Sequence, residues 1–187
     1  MTFNKEISET NIRIGEVRFS YANVFAPREQ PNGGDPKYSV CVLIPKKDAK
    51  TVELVKEAIE AAKAKGKAEK WGGKVPGKLT MPLRDGDNEK PDDPTYEDMW
   101  FFNCSSKNKP GVKVLENGSV EDALDGEDFY SGCFGAVTVN FYPYDTSGNK
   151  GVGAGLNNLI KTRDGTRLSG GRTADEDFGD LGDDSLN

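Results

Sequence analysis

Aromatic and basic residues recur side by side along this chain. Trp71 sits among Lys70, Lys74 and Lys78. Trp100 and Phe102 alternate onto one face of an apolar run, and Lys107, Lys109 and Lys113 follow. Tyr142 and Tyr144 lead into a turn followed by Lys150, and Tyr21 shares a face with Val17 and Phe19. Unpaired bases stack on aromatic rings, and lysines track phosphates, so the pattern fits single-stranded nucleic acid bound without a sequence motif. The candidate DNA-contacting residues are Tyr21, Trp71, Lys74, Lys78, Trp100, Phe102, Lys107, Lys109, Lys113, Tyr142, Tyr144 and Lys150. Phe19, Phe101, Phe134 and Phe141 are assigned to the interior instead.

Other chemistry finds little support. Histidine is absent, which removes the usual general base and the commonest metal ligand. Cys41, Cys104 and Cys133 are far apart, with no C-x-x-C pair, which argues against a disulfide framework or zinc knuckle. The run Asp85-Gly86-Asp87-Asn88-Glu89 begins like a calcium loop. Lys90 then occupies the position that needs glycine, and Tyr96 the one that needs a bidentate glutamate. Gly151-Val152-Gly153-Ala154-Gly155 lacks the spacing of a dinucleotide fingerprint. We therefore expect a binder rather than an enzyme, with no metal and no cofactor. The first ten residues lack the pattern of a signal peptide, and no apolar run approaches about 18 residues, so a cytoplasmic protein without a membrane partner is expected.

The formal net charge of −6 looks unfavourable for binding phosphate. Its distribution changes that reading. Residues 175–187 carry six acids (Asp175, Glu176, Asp177, Asp180, Asp183, Asp184) and no base. Without them, 25 basic and 25 acidic residues remain, and a neutral body can still carry a basic groove. In the tail the acids alternate with Phe178, Leu181 and Leu186, too little apolar surface to fold alone. The tail is expected to be disordered and to offer Asp175, Glu176, Asp177, Phe178, Asp180, Leu181, Asp183 and Asp184 to protein partners.

These residues need elements to position them. Residues 11–27 read as one long strand or two, with a bulge where the apolar phase switches beside Gly15. Residues 38–44 read as a strand buried on both faces. Asp48 is a plausible N-cap for a helix over 49–65, with Val52, Val55, Ile59 and Ala62 as its apolar stripe and Gly66 as its stop. Residues 67–98 form a long insertion, basic in its first half and acidic in its second. Strands follow at 99–105, 112–115 and 129–144, with an acidic loop over 116–128. A turn over 145–148 leads to a return strand over 151–161. This order predicts a mainly β fold, an antiparallel barrel with one helix and a long loop insertion. The expected divisions are a polar arm over 1–10, a binding domain over 11–165 and a flexible tail over 166–187.

The stretches Arg18-Phe19-Ser20-Tyr21-Ala22-Asn23-Val24-Phe25 and Lys37-Tyr38-Ser39-Val40-Cys41-Val42-Leu43-Ile44-Pro45-Lys46 carry a family likeness. With the helix, Val152-Gly153-Ala154-Gly155-Leu156-Asn157 and the acidic tail, the chain resembles the oligonucleotide-binding-fold (OB-fold) single-stranded DNA-binding proteins of tailed bacteriophages and prophages. The resemblance implies sequence-independent binding of single strands in phage replication or recombination, and a tail that recruits replication or recombination proteins. Two features depart from it. The helix follows the second strand segment, where the simplest such barrel places it after the third. The chain also ends in Leu186-Asn187, where some members end in an aromatic residue. The alternative is an acidic phage accessory or DNA-mimic protein that acts through protein–protein contacts.

Overall fold

A computed structural model describes residues 3–168 and Phe178. Its elements are β1 (Lys5–Glu6), β2 (Asn11–Arg28), β3 (Lys37–Pro45), α1 (Ala49–Glu69), β4 (Arg84–Asp85), α2 (Gly86–Glu89), β5 (Met99–Ser106), β6 (Gly111–Glu116), β7 (Ser119–Asp122), β8 (Phe134–Thr146) and β9 (Asn149–Arg163). Five of these strands close a barrel. β3 pairs with β2 and β5, β2 with β8, and β8 with β9, all antiparallel. A parallel contact, Ser105 opposite Gly155, joins β5 to β9 and completes the ring. The helix does follow the second barrel strand, because residues 11–28 form a single long strand.

Period-2 alternation fills the interior. Ile12, Ile14, Val17 and Phe19 point inward from β2, and Val40, Val42 and Ile44 from β3. Phe102 and Cys104 of β5, Val137, Val139 and Phe141 of β8, and Val152, Leu156 and Leu159 of β9 complete the core. The bulge expected beside Gly15 is present as a register shift between Ile14 and Val17 against β8. The β8–β9 turn has Ser147 at φ 51° and Gly148 at φ 85°, the paired left-handed residues of a two-residue hairpin.

Several expectations need correction. The N-terminal arm is not loose. Lys5 and Glu6 pair with Arg13 and Ile12, and Asn4 Nδ2 donates to Thr51 Oγ1 at 2.8 Å. Asp48 caps α1 by accepting from the Thr51 N–H at 3.3 Å, but Gly66 does not stop the helix, which runs on to Glu69. The strand over 112–115, read from the sequence as a short return, forms as β6 but does not lie beside β5. It pairs in parallel with β9 and antiparallel with β7, across an Asn117-Gly118 turn inside the presumed acidic loop.

The insertion packs over the outer face of β3 and β5. Tyr96 lies against Cys41, Leu43 and Phe101 in a small second core outside the barrel. Ion pairs fix its edge: Lys46 Nζ is 2.7 Å from both Asp85 Oδ1 and Asp87 Oδ2. The calcium-like loop thus spends its carboxylates on a lysine. Hydrogen bonds from Lys46 hold both carboxyls below the usual carboxylate range and lift the lysine above its own. A depressed folded-state carboxyl stabilises above the unfolded-state pKa, and that contribution disappears as pH falls through the folded-state value. Acidification from pH about 5 to about 3 should therefore lower the melting temperature less steeply in Lys46→Met than in the unaltered protein. Parallel slopes would show that these pairs contribute nothing.

Candidate nucleic-acid interface

A second irregularity in β2 builds the site. Between Ser20 and Asn23 the strand advances three residues while β3 advances two, from Cys41 to Ser39. Such a bulge re-aims side chains. Tyr21 takes a left-handed conformation (φ 47°) and stands 60% exposed on the outside of the barrel. Polar bonds hold the bulge: the Ala22 N–H donates to Ser131 Oγ at 3.0 Å, and Asn23 Nδ2 donates to the Tyr21 carbonyl at 3.1 Å. A bulky residue at positive φ is uncommon and costs on the order of 1–3 kcal/mol, a strain typical of functional positions.

Beside Tyr21 lies a groove of about 300 Å³ between β2, β3, β5 and the insertion. Its walls carry Arg28, Arg84 and Lys90, its polar lining includes Asn23, Ser39 and Asn103, and Cys41, Tyr96 and Phe101 form the floor. Among the described residues the lining contains three cations and no acid. Lys90 Nζ lies 6.0 Å from the centroid of the Tyr96 ring. Burial pushes the Cys41 thiol up to about 11 and raises the Tyr96 hydroxyl as well, so the floor is uncharged at neutral pH. The groove can therefore attract an anionic chain along its walls while an aromatic ring stands at its edge.

Of the sequence-predicted residues, only Tyr21 lines this groove. Two expectations are overturned by burial. Phe102 is 0% exposed, with its ring 5.6 Å from that of Phe141, so no base can reach it. Trp71 is 6% exposed, and its indole N–H donates to the Tyr144 carbonyl at 3.2 Å. Its ring lies over Gly66, where an added Cβ would come within 2.6 Å of the indole. That contact explains why a glycine sits inside α1 rather than at its end. The sequence neighbours of Trp71, including the exposed Lys74 and Lys78, gave no hint of this inward turn.

The remaining candidates are spread around the barrel. Trp100 is half-buried against α1, with Lys56 Nζ 4.8 Å and Lys46 Nζ 5.4 Å from its ring centroid. Tyr142 and Tyr144 lie across the strand from Gly153 and Gly151, whose missing side chains make room for the rings. Lys107 pairs with Asp35 at 3.0 Å, Lys113 with Asp122, and Lys150 with Asp145 at 3.9 Å. Lys109 lines a different cavity, near the end of β5. Asp175, Glu176, Asp177, Asp180, Leu181, Asp183 and Asp184 lie outside the described residues, and Phe178 is exposed. Sequence reasoning missed Asn23, Arg28, Arg84, Lys90 and Asn103. Asn103 was the available signal, a polar residue on the outward phase of a strand rich in aromatics.

Comparison with known proteins agrees with this fold. The family model described as Enterobacter phage Enc34, ssDNA-binding protein, matches residues 10–186. Putative protein p50 of Acyrthosiphon pisum secondary endosymbiont phage 1 is 35% identical over 180 residues, covering 91% of this chain and 93% of that protein. The single-stranded DNA-binding protein from bacteriophage Enc34, solved in complex with ssDNA, superposes with a TM-score of 0.75 at 26% identity, over 90% of this chain and 98% of that one. The single-stranded DNA-binding protein gp2.5 of bacteriophage T7 shares the fold, with a TM-score of 0.57 at 18% identity, over 92% of this chain and 94% of that one. Among the described residues no helix is long and apolar enough to cross a membrane.

The burial pattern makes a clear division among the aromatics. Phe102→Ala should destabilise the protein by about 3–5 kcal/mol, and Trp71→Ala by a comparable amount. Tyr21→Gly removes an exposed ring and relieves a left-handed backbone, so it should leave the melting temperature unchanged or raised. Denaturant titration of the three variants checks this, and a Phe102→Ala protein as stable as the unaltered one would contradict it.

Proposed function

The chain belongs to the phage Enc34 single-stranded DNA-binding protein family, and on that premise we propose that its groove between β2, β3, β5 and the insertion holds an extended DNA strand without regard to sequence. One observation carries the assignment to this groove: among the described residues three cations and no acid line it, in a chain of net charge −6, beside an exposed tyrosine. Arg28, Arg84 and Lys90 neutralise phosphates and release counterions. Tyr21 stacks on a base, which only an unpaired strand can offer. No bond is made or broken. The protein shields single strands and opens hairpins by mass action during phage DNA replication and recombination. Family membership sets aside the alternative of a DNA mimic.

The acidic tail enters as regulator and recruiter. Leu168 lines a small cavity with Tyr21 and Tyr96, and its N–H donates to the Ser131 carbonyl at 3.0 Å, so the chain is delivered to the edge of the groove. A short tether gives an effective concentration on the order of millimolar. Six tail carboxylates at that concentration compete with DNA for the cations, and Phe178, Leu181 and Leu186 give replication or recombination proteins an apolar grip.

Titration with an oligothymidine tests the groove. Tyr21→Gly should weaken binding by about 1–3 kcal/mol. Each of Arg28→Ala, Arg84→Ala and Lys90→Ala should reduce the salt slope by about 0.7. Equal affinity for a duplex of the same length would overturn the reading. Deleting residues 175–187 should tighten binding at low salt, and the gain should fade as salt screens the exposed charges.

A further inference from the structure

Around the end of β5 from the groove lies a second cavity, of about 480 Å³, within the size range of small-ligand sites. Asn103 lines the groove and Ser106 lines this cavity, three residues along one strand and so about 10 Å apart. Its wall is built by a bulge in β9. Thr138 pairs with Asn158 and Val139 with Leu156, which leaves Asn157 as an extra residue. Two successive asparagines thereby line the same cavity, where a regular strand would send them to opposite faces. Thr138 Oγ1 holds the bulge by accepting from the Asn158 N–H at 3.0 Å.

The amides are only half used by the fold. Asn157 Nδ2 donates to Asn11 Oδ1 at 3.3 Å, and Asn158 Oδ1 accepts from the Gly111 N–H at 3.0 Å. An asparagine side chain carries both a carbonyl and an NH2 group, so Asn157 retains its acceptor and Asn158 its donor. Asn108 adds a third amide, Lys109 supplies the cation, and no acid lines the cavity among the described residues. Ile7, 51% exposed, stands at its edge as an apolar contact. Donor and acceptor together, an apolar contact and a single cation match a nucleotide, whose base edge presents both hydrogen-bonding senses beside one phosphate.

We propose that this cavity is a second subsite, which takes one unpaired nucleotide of the strand where it leaves the groove. Asn108, Asn157 and Asn158 meet the base edge, and Lys109 meets the phosphate. The inference rests on the groove as the primary DNA site. The test compares oligothymidines of about 4 and about 16 nucleotides, the two ends of the range for one OB fold. The doubly substituted Asn108→Ala/Lys109→Ala protein is the probe, because Asn157 also bonds Asn11 of β2 and Asn158 also anchors β6. Its melting temperature should match that of the unaltered protein. It should bind the long oligomer about tenfold more weakly and the short one equally well, whereas Tyr21→Gly should weaken both. Unchanged affinity for the long oligomer, or equal losses on both, would overturn the second subsite. If Tyr21→Gly binds both lengths normally while the double variant still loses the long one, the groove assignment fails and the subsite stands.

Discussion

β2 must serve two neighbours, and the rest of the structure depends on how it does so. Its first part pairs with β8 from Asn11 to Arg18, and its second with β3 from Arg18 to Arg28. To follow the closing barrel this long strand must bend, and each irregularity in it adds bend and twist. The shift between Ile14 and Val17 keeps both Ile14 and Val17 in the core despite their odd spacing. The bulge at Tyr21 turns a residue that strict alternation would bury into the one exposed aromatic at the groove. Barrel closure and site geometry are consequences of the same strand.

Electrostatics adds a second layer. Several lysines elsewhere on the barrel are answered by acids: Lys46 by Asp85 and Asp87, Lys107 by Asp35 and Lys113 by Asp122. Exposed pairs of this kind contribute little to stability. Their larger effect is to flatten the potential where they lie. Among the described residues Arg28 and Lys90 have no acidic partner, and both line the groove. Two cations without an acid beside them give the groove a local positive field although the protein as a whole is acidic.

The barrel was largely legible in the sequence because its signals are local. Alternation marked β2 and β8, Asp48 marked the start of α1, and the turn over 145–148 marked the hairpin and its return strand β9. The Asn117-Gly118 hairpin carried an equally local signal, obscured by the surrounding acids. The site was much less legible. Lysine beside aromatic in the chain does not mean lysine beside aromatic in space: Trp71 folds inward over Gly66, and Lys107 and Lys113 turn to acids. Arg28, Arg84 and Lys90 come from separate elements, and the insertion reaches the groove through long-range contacts: β4 pairing with β5, Lys46 holding Asp85 and Asp87, and Tyr96 packing onto Phe101. Periodicity also made β3 look buried on both faces. Its outer face is covered by the insertion near Leu43 and open near Ser39, a difference set by distant residues.

The central claim is that a single strand lies along the groove edged by Tyr21. Photocrosslinking of the full-length protein to an oligomer of 5-bromodeoxyuridine, with the attachment sites read by mass spectrometry, tests it most directly. The account predicts crosslinks at Tyr21 and in the segments around Arg28, Arg84–Asp85 and Asn103. Crosslinks confined to Trp100 and the exposed face of α1, with none at Tyr21, would contradict it.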